Sequence, residues 1–177
     1  MDQASGKNVY SAKYFDVKKQ EFITPDGKKH THDNVYRKPV SVIFPITQNY
    51  DLYLISQFRE FFNGKILEAC AGHVDEGESP LSGAKRELKE ETGIIAGNWD
   101  RIMEVEMSAS VIRSQAHIFI AKDLQLTEQK PDSDEDITLV KISLDEALKK
   151  VLSGEIKTGS TILGILMIDK LRKEGKI

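Results

Sequence analysis

The chain has 177 residues, enough for one domain with a full core, and 40% of them are hydrophobic against 30% charged. Its 25 Lys and Arg nearly balance 28 Asp and Glu, for a net charge of -3, which argues against a broad nucleic-acid surface or a polybasic membrane anchor. The single cysteine, Cys70, excludes an intrachain disulfide and disfavours a Cys/His zinc site, and the lack of a signal-type leader or a membrane-length apolar run predicts a soluble, cytoplasmic protein.

The first 40 residues read as extended. Val9 to Phe15 and Lys18 to Phe22 mix aromatic and β-branched residues with polar ones, and Pro25-Asp26-Gly27 is a turn signal before a return strand over Lys29 to Tyr36. His30 and His32 share one face of that strand, but with no third ligand nearby they read as surface or interface residues. Val40 to Ile46 is almost continuously apolar, as in a buried strand, and Leu52 to Arg59 is a second strand. The short polar link Thr47 to Asp51 predicts that the two form a hairpin. Extended structure resumes over Lys65 to Val74.

Ser79 to Thr92 reads as a helix, with Ser79 as N-cap, Pro80 at the first helical position and Gly93 as terminator. Leu81, Ala84 and Leu88 form its apolar stripe. Further strands are expected at Ile102 to Met107, Ala116 to Ala121 and Ile137 to Ile142. Helices are expected over Ser143 to Leu152 and Thr161 to Arg172. Strands mixed with a few helices point to an α+β or layered α/β/α fold.

Glu87, Glu90 and Glu91 fall on one side of the first helix, with Glu87 and Glu91 about 40° apart at 100° per residue. Like charges at this spacing repel by a few tenths of a kcal/mol per pair. A divalent cation would remove that repulsion, and Mg²⁺ suits carboxylate oxygens shared with substrate phosphates. The helix alone also fits a solvated surface on which Lys85, Arg86 and Lys89 pair with the glutamates.

The longer pattern separates the two. Gly72, Glu78, then Arg86-Glu87-Leu88-Lys89-Glu90-Glu91-Thr92-Gly93-Ile94 resembles the Nudix hydrolase signature at every fixed position: Gly-x5-Glu-x7-Arg-Glu-(apolar)-x-Glu-Glu-x-Gly-(apolar). The resemblance implies an α/β/α sandwich with a mixed sheet over 39–177. It also implies a small N-terminal antiparallel β subdomain over 1–38 that helps build a homodimer. It implies Mg²⁺, with Mn²⁺ as a substitute, and a small-molecule nucleotide substrate. By the same resemblance Glu87 and Glu91 are the principal metal ligands, with Glu90 a further ligand or metal-linked base. The Ala71 carbonyl faces the metal, Gly72 permits the tight turn, and Arg86 orients the glutamates. Glu78 supports the loop and Gly93 closes the helix.

Ser56-Gln57-Phe58-Arg59-Glu60, Leu67-Glu68-Ala69-Cys70-Ala71-Gly72 and Asp134-Glu135-Asp136-Ile137 resemble the ADP-ribose and nucleotide-sugar pyrophosphatase branch. That branch implies substrate contacts at Arg59, Arg37 and Glu68, with Glu135 as base or metal contact. Its members often carry a proline about fifteen residues past the signature. Met107 to Val111 lacks one, so GDP-mannose and other sugar nucleotides stay open beside ADP-ribose. The resemblance implies cleavage to a nucleoside monophosphate and a sugar phosphate by water attack. Two competing readings are a non-catalytic nucleotide-binding regulatory module and a hydrolase of nucleoside triphosphates or dinucleotide polyphosphates. His73 and His117 are expected to be structural or pocket-lining, and Cys70 to serve packing.

Overall fold

The computed structural model describes residues 6–128 and 136–177. The N-terminal run forms β1 (Lys7–Ser11), β2 (Phe15–Ile23) and β3 (Lys29–Arg37), an antiparallel meander. The turn between β2 and β3 closes with Gly27 N–H on the Thr24 carbonyl, 2.8 Å. Exposed His30 and His32 flank Phe22, one stacked and one edge-on, which gives both a packing role on the hairpin.

The next strands are β4 (Val40–Pro45), β5 (Asp51–Arg59), β6 (Gly64–Glu68) and β7 (Cys70–His73). Helix α1 (Pro80–Thr92) follows, then β8 (Ile94–Glu106), β9 (Ile112–Arg113), β10 (Gln115–Leu126) and β11 (Ile137–Ser143). Helices α2 (Leu144–Leu152) and α3 (Gly159–Lys173) end the chain. Among the described residues three sheets result, ordered β1-β2-β3-β9, β7-β4-β10-β8 and β11-β5-β6. The second is mixed, because β10 runs parallel to β4 and antiparallel to β8. The fold is α+β, as expected.

The predicted hairpin of 40–46 with 52–59 does not form. The two strands enter different sheets and meet at one bridge, Ile46 to Leu52. The reason is edge occupancy: Val40 to Ile43 has β7 on one side and β10 on the other, so no hydrogen-bonding edge is left for β5. Strand β8 is also longer than predicted, beginning eight residues before Ile102. Gly97, Asn98 and Asp100 have weak strand propensity, which pairing to β10 overrides.

Alternation along β4 builds two cores. Val42, Phe44 and Ile46 join Leu52, Leu54, Ile118, Ile120, Ile165 and Ile168 on the side of α2 and α3. Ile43 joins Ile55, Ala84, Leu88, Ile94 and Phe119 on the side of α1. The sheets are thus the middle layer of a sandwich. Leu81, expected in the apolar stripe of α1, is exposed, whereas Ala84 and Leu88 are fully buried. Among the described residues no helix is long and apolar enough to cross a membrane.

Helix α3 lies close on Phe44 because residue 164 is glycine; a Cβ there would fall inside the Phe44 ring. Gly164→Ala is expected to destabilise by about 1–3 kcal/mol through overpacking, with partial recovery on adding Phe44→Leu, measured by urea denaturation.

On α3, buried Asp169 accepts from Lys173 Nζ at 2.7 Å and Arg172 Nη2 at 3.0 Å. These bonds, Lys173's first, hold its carboxyl below the ordinary aspartate value. A depressed folded value means stability that is present above the unfolded value and lost as pH falls through the folded one. Melting temperature should therefore drop on acidification below about pH 4, with a shallower drop in Asp169→Asn.

Candidate functional site

The loop after β7 and helix α1 carry the acidic signature. Ser79 caps the helix, its side chain accepting from Ser82 N–H at 3.1 Å, and Gly93 closes it in a left-handed conformation, φ 68°. The start of α1 is also tied to the sheet beneath it: Ser41 Oγ donates to the Pro80 carbonyl at 2.7 Å. Its far end is tied by Thr127, whose N–H and Oγ1 both donate to the Gly93 carbonyl at 2.7 Å.

Arg86 is the hub. Its Nε and Nη2 donate to the two oxygens of Glu78 at 3.2 and 3.1 Å, a two-pronged pairing that lysine could not make. Its Nη1 donates to Glu87 Oε1 at 2.7 Å and to Glu90 Oε2 at 3.1 Å. Its Nη2 also reaches the His73 carbonyl at 3.1 Å. These bonds, Glu78's first, push the guanidinium's pKa further up, and the bond to Arg86 is the main cause that holds Glu78 below the usual carboxylate range. Glu78 Oε2 also accepts from Asp75 N–H at 3.1 Å, so one carboxylate fixes both the loop and the arginine.

Glu91 is buried, at 4% exposure, with Oε2 accepting from Ala71 N–H at 3.3 Å. Glu87 passes directly over Gly72, where any Cβ would overlap its carboxyl group. The glycine is required by this close approach. Burial and the nearby charges of Arg37 and Lys38 keep the His73 imidazole below its usual pKa.

These groups line a cleft of about 790 Å³ that also includes Arg37, Arg59, Glu68 and Ala71. Arg59 Nε donates to buried Glu68 at 2.6 Å, so Glu68 is neutralised by the arginine next to which it sits. Arg37 lies exposed at the end of β3. Glu78 stands behind Arg86, and Gly93 belongs to the helix end and stays out of the cleft lining. Glu135 lies outside the described residues; its neighbour Asp136 is exposed and pairs with Lys65 at 2.7 Å. Another hollow, about 820 Å³, is lined by Tyr50, Tyr53, Lys122 and Asp123 and contains no signature residue.

Several cleft residues carry no sequence signal. Lys13, Tyr14, Phe61, Phe62 and Thr158 to Ser160 reach it from distant segments. The His73 carbonyl, a backbone acceptor for Arg86, has no side-chain signature at all. His117 is buried in β10 beside Glu104, 3.4 Å from Nδ1 to Oε2, and Cys70 is fully buried in the α1-side core.

The donor set suits a hard divalent cation: it is all oxygen, with several carboxylates on one helix and a backbone segment beside them. Among the described residues no three acidic, His or Cys side chains converge as a ready-made metal group; Arg86 stands between Glu87 and Glu90 instead.

A family model described as NUDIX domain matches residues 35–158. The chain belongs to the Nudix family. It is a hydrolase, and Nudix hydrolases generally need a divalent metal. It is 29% identical to "ADP-ribose pyrophosphatase" of Bacillus subtilis (strain 168) over 90% of this chain and 87% of that one. It is 30% identical to "GDP-mannose pyrophosphatase" of Yersinia pestis (strain Pestoides F) over 84% and 78%. "Methanol dehydrogenase activator" of Bacillus methanolicus is 25% identical over 90% and 87%. A solved structure titled "Crystal structure of ADP compounds hydrolase" shares the fold, with a TM-score of 0.81, 22% identity and coverage of 96% and 93%.

Gly72→Ala adds one carbon where Glu87 lies. Because the obstacle is a flexible side chain, the fold should survive with little change in melting temperature. The displaced carboxylate should cost about 10²-fold in kcat, the scale of a 1 Å misplacement, measured as hydrolysis at saturating metal.

Proposed function

We propose that this Nudix hydrolase cleaves the pyrophosphate bond of a nucleoside diphosphate linked to a sugar, ADP-ribose or a sugar nucleotide. The products are a nucleoside monophosphate and a sugar phosphate. The observation that carries the reading is the Arg86-braced pair Glu87 and Glu90, with buried Glu91 beside them, lining a cleft that also holds Arg37 and Arg59. Similarity to an ADP-ribose pyrophosphatase and a GDP-mannose pyrophosphatase supports the same substrate class.

Glu87, Glu91, Glu90 and the Ala71 carbonyl would hold Mg²⁺, with Mn²⁺ substituting. When bound, the metal supplies charge neutralisation at the diphosphate and a lowered pKa for an attacking water. The chain's own residues do the rest. Arg86 pins Glu87 through Nη1, while Glu78 fixes Arg86. Arg59 and Arg37 bind diphosphate oxygens, with Glu68 holding Arg59 in place. Glu90, the most exposed of the three glutamates, or Glu135 accepts the proton of the attacking water.

The protein acts in this reading as a homodimer through the segment 1–38. Val9, Tyr10, Ile23, Val111 and Ile112 are exposed on or beside the N-terminal sheet, apolar side chains that a partner subunit would cover. Light scattering at twice the 19.9 kDa chain mass supports this arrangement, and a monomer removes it.

The deciding experiment is a Mg²⁺-dependent assay on ADP-ribose, sugar nucleotides, dinucleotide polyphosphates and nucleoside triphosphates, with products identified by mass. ADP-ribose or a sugar nucleotide should give the highest kcat/KM, and Glu91→Gln should lose activity by orders of magnitude while remaining folded. Preference for a triphosphate moves the substrate class. No turnover of any substrate, with binding retained, favours a regulatory module.

A further inference from the structure

Tyr14 and His73 come from different sheets and meet face to face. Their ring centroids are 4.4 Å apart and their planes are 16° from parallel. Tyr14 lies in the turn between β1 and β2, and His73 is the last residue of β7. Backbone bonds fix both sides of this contact. Lys38 N–H donates to the Tyr14 carbonyl at 3.0 Å, and Val74 N–H donates to the Pro39 carbonyl at 2.9 Å. Lys13 Nζ lies over the Tyr14 ring, 4.8 Å from its centroid.

His73 occupies a sensitive place. It directly follows Gly72, over which Glu87 passes, and its own carbonyl accepts from Arg86 Nη2. Its buried Nε2 has no hydrogen-bond partner among the described residues, so no bond at that atom orients the ring. The flat Tyr14 ring, stacked on it, is the contact that sets its plane on that side.

We infer that Tyr14 is a positioning residue for the catalytic signature. Its ring clamps His73 and thereby holds the peptide that braces Arg86, which in turn sets Glu87. The N-terminal sheet is in this way connected to the chemistry by one aromatic contact, without Tyr14 touching the reacting atoms. The inference rests on the hydrolase reading above and extends it to a residue outside the signature.

The test compares Tyr14→Leu, which keeps apolar bulk but loses the plane, with Tyr14→Phe, which keeps the plane. Steady-state kinetics on the best substrate should show kcat about tenfold lower in Tyr14→Leu, the scale of an outer-shell partner. KM should stay within about twofold, and Tyr14→Phe should restore kcat. In the metal-free protein, the Arg86 Nε–H signal in ¹⁵N NMR should exchange with solvent faster in Tyr14→Leu and at the parental rate in Tyr14→Phe. Unchanged kcat and exchange in Tyr14→Leu would overturn the inference. So would a rise in KM at constant kcat, which makes Tyr14 a wall of the substrate pocket. If the parent protein cleaves nothing, the hydrolase reading fails by itself, and the exchange rates still decide whether Tyr14 positions Arg86.

Discussion

One guanidinium makes the acidic helix tolerable. Glu87, Glu90 and Glu91 repel one another, and removing the partner of a buried charge costs about 3–5 kcal/mol. Arg86 answers with five hydrogen bonds: two to Glu78 and one each to Glu87, Glu90 and the His73 carbonyl. Its side chain is about one-third exposed, so each bond is worth less than a fully buried one. Their joint effect is geometric. The planar fork determines where the loop, the helix and the carboxylates stand relative to one another.

The rest of the sandwich keeps that hub in register. Leu88 and Ala84 anchor α1 in the core with Ile43 and Ile55, and Ser41 ties its first turn to the sheet. Glu91 is turned inward to the backbone of Ala71, while Glu90 stays half-exposed. Two adjacent carboxylates therefore have different surroundings, one dry and one wet, set by which way each faces from the helix.

The signature was legible because its chemistry is local. Caps at Ser79 and Gly93, the apolar positions Ala84 and Leu88, and the glutamate spacing are all properties of one helix, and the structure has that helix over Pro80–Thr92. The long-range parts were not legible. Strands β4 and β5 look like a hairpin in sequence because their link is short; the competitors for β4's edges, Ala116 to Ala121 and Cys70 to His73, appear only when the chain is folded. Likewise the strand expected from Ile102 reaches back to Ile94 because β10 supplies a partner along that stretch. Within the cleft, a backbone carbonyl at His73 and an aromatic ring at Tyr14 leave no pattern that spacing could detect. Arg37 and Arg59 could be named by resemblance, but the bond from Arg59 to Glu68 is a tertiary fact.

The splitting of β4 from β5 has a consequence for how such a protein can diversify. Ala71 to His73 belong to the β7-β4-β10-β8 sheet, on which α1 packs with its carboxylates; Arg59 and Glu68 belong to the β11-β5-β6 sheet, and Arg37 to the N-terminal one. Between the strands β4 and β5 the first two sheets share a single bridge. A substitution that tilts or reshapes one wall need not strain the other through a continuous ladder. The Arg59–Glu68 pair and the signature helix can thus shift relative to one another without breaking a strand ladder between β4 and β5.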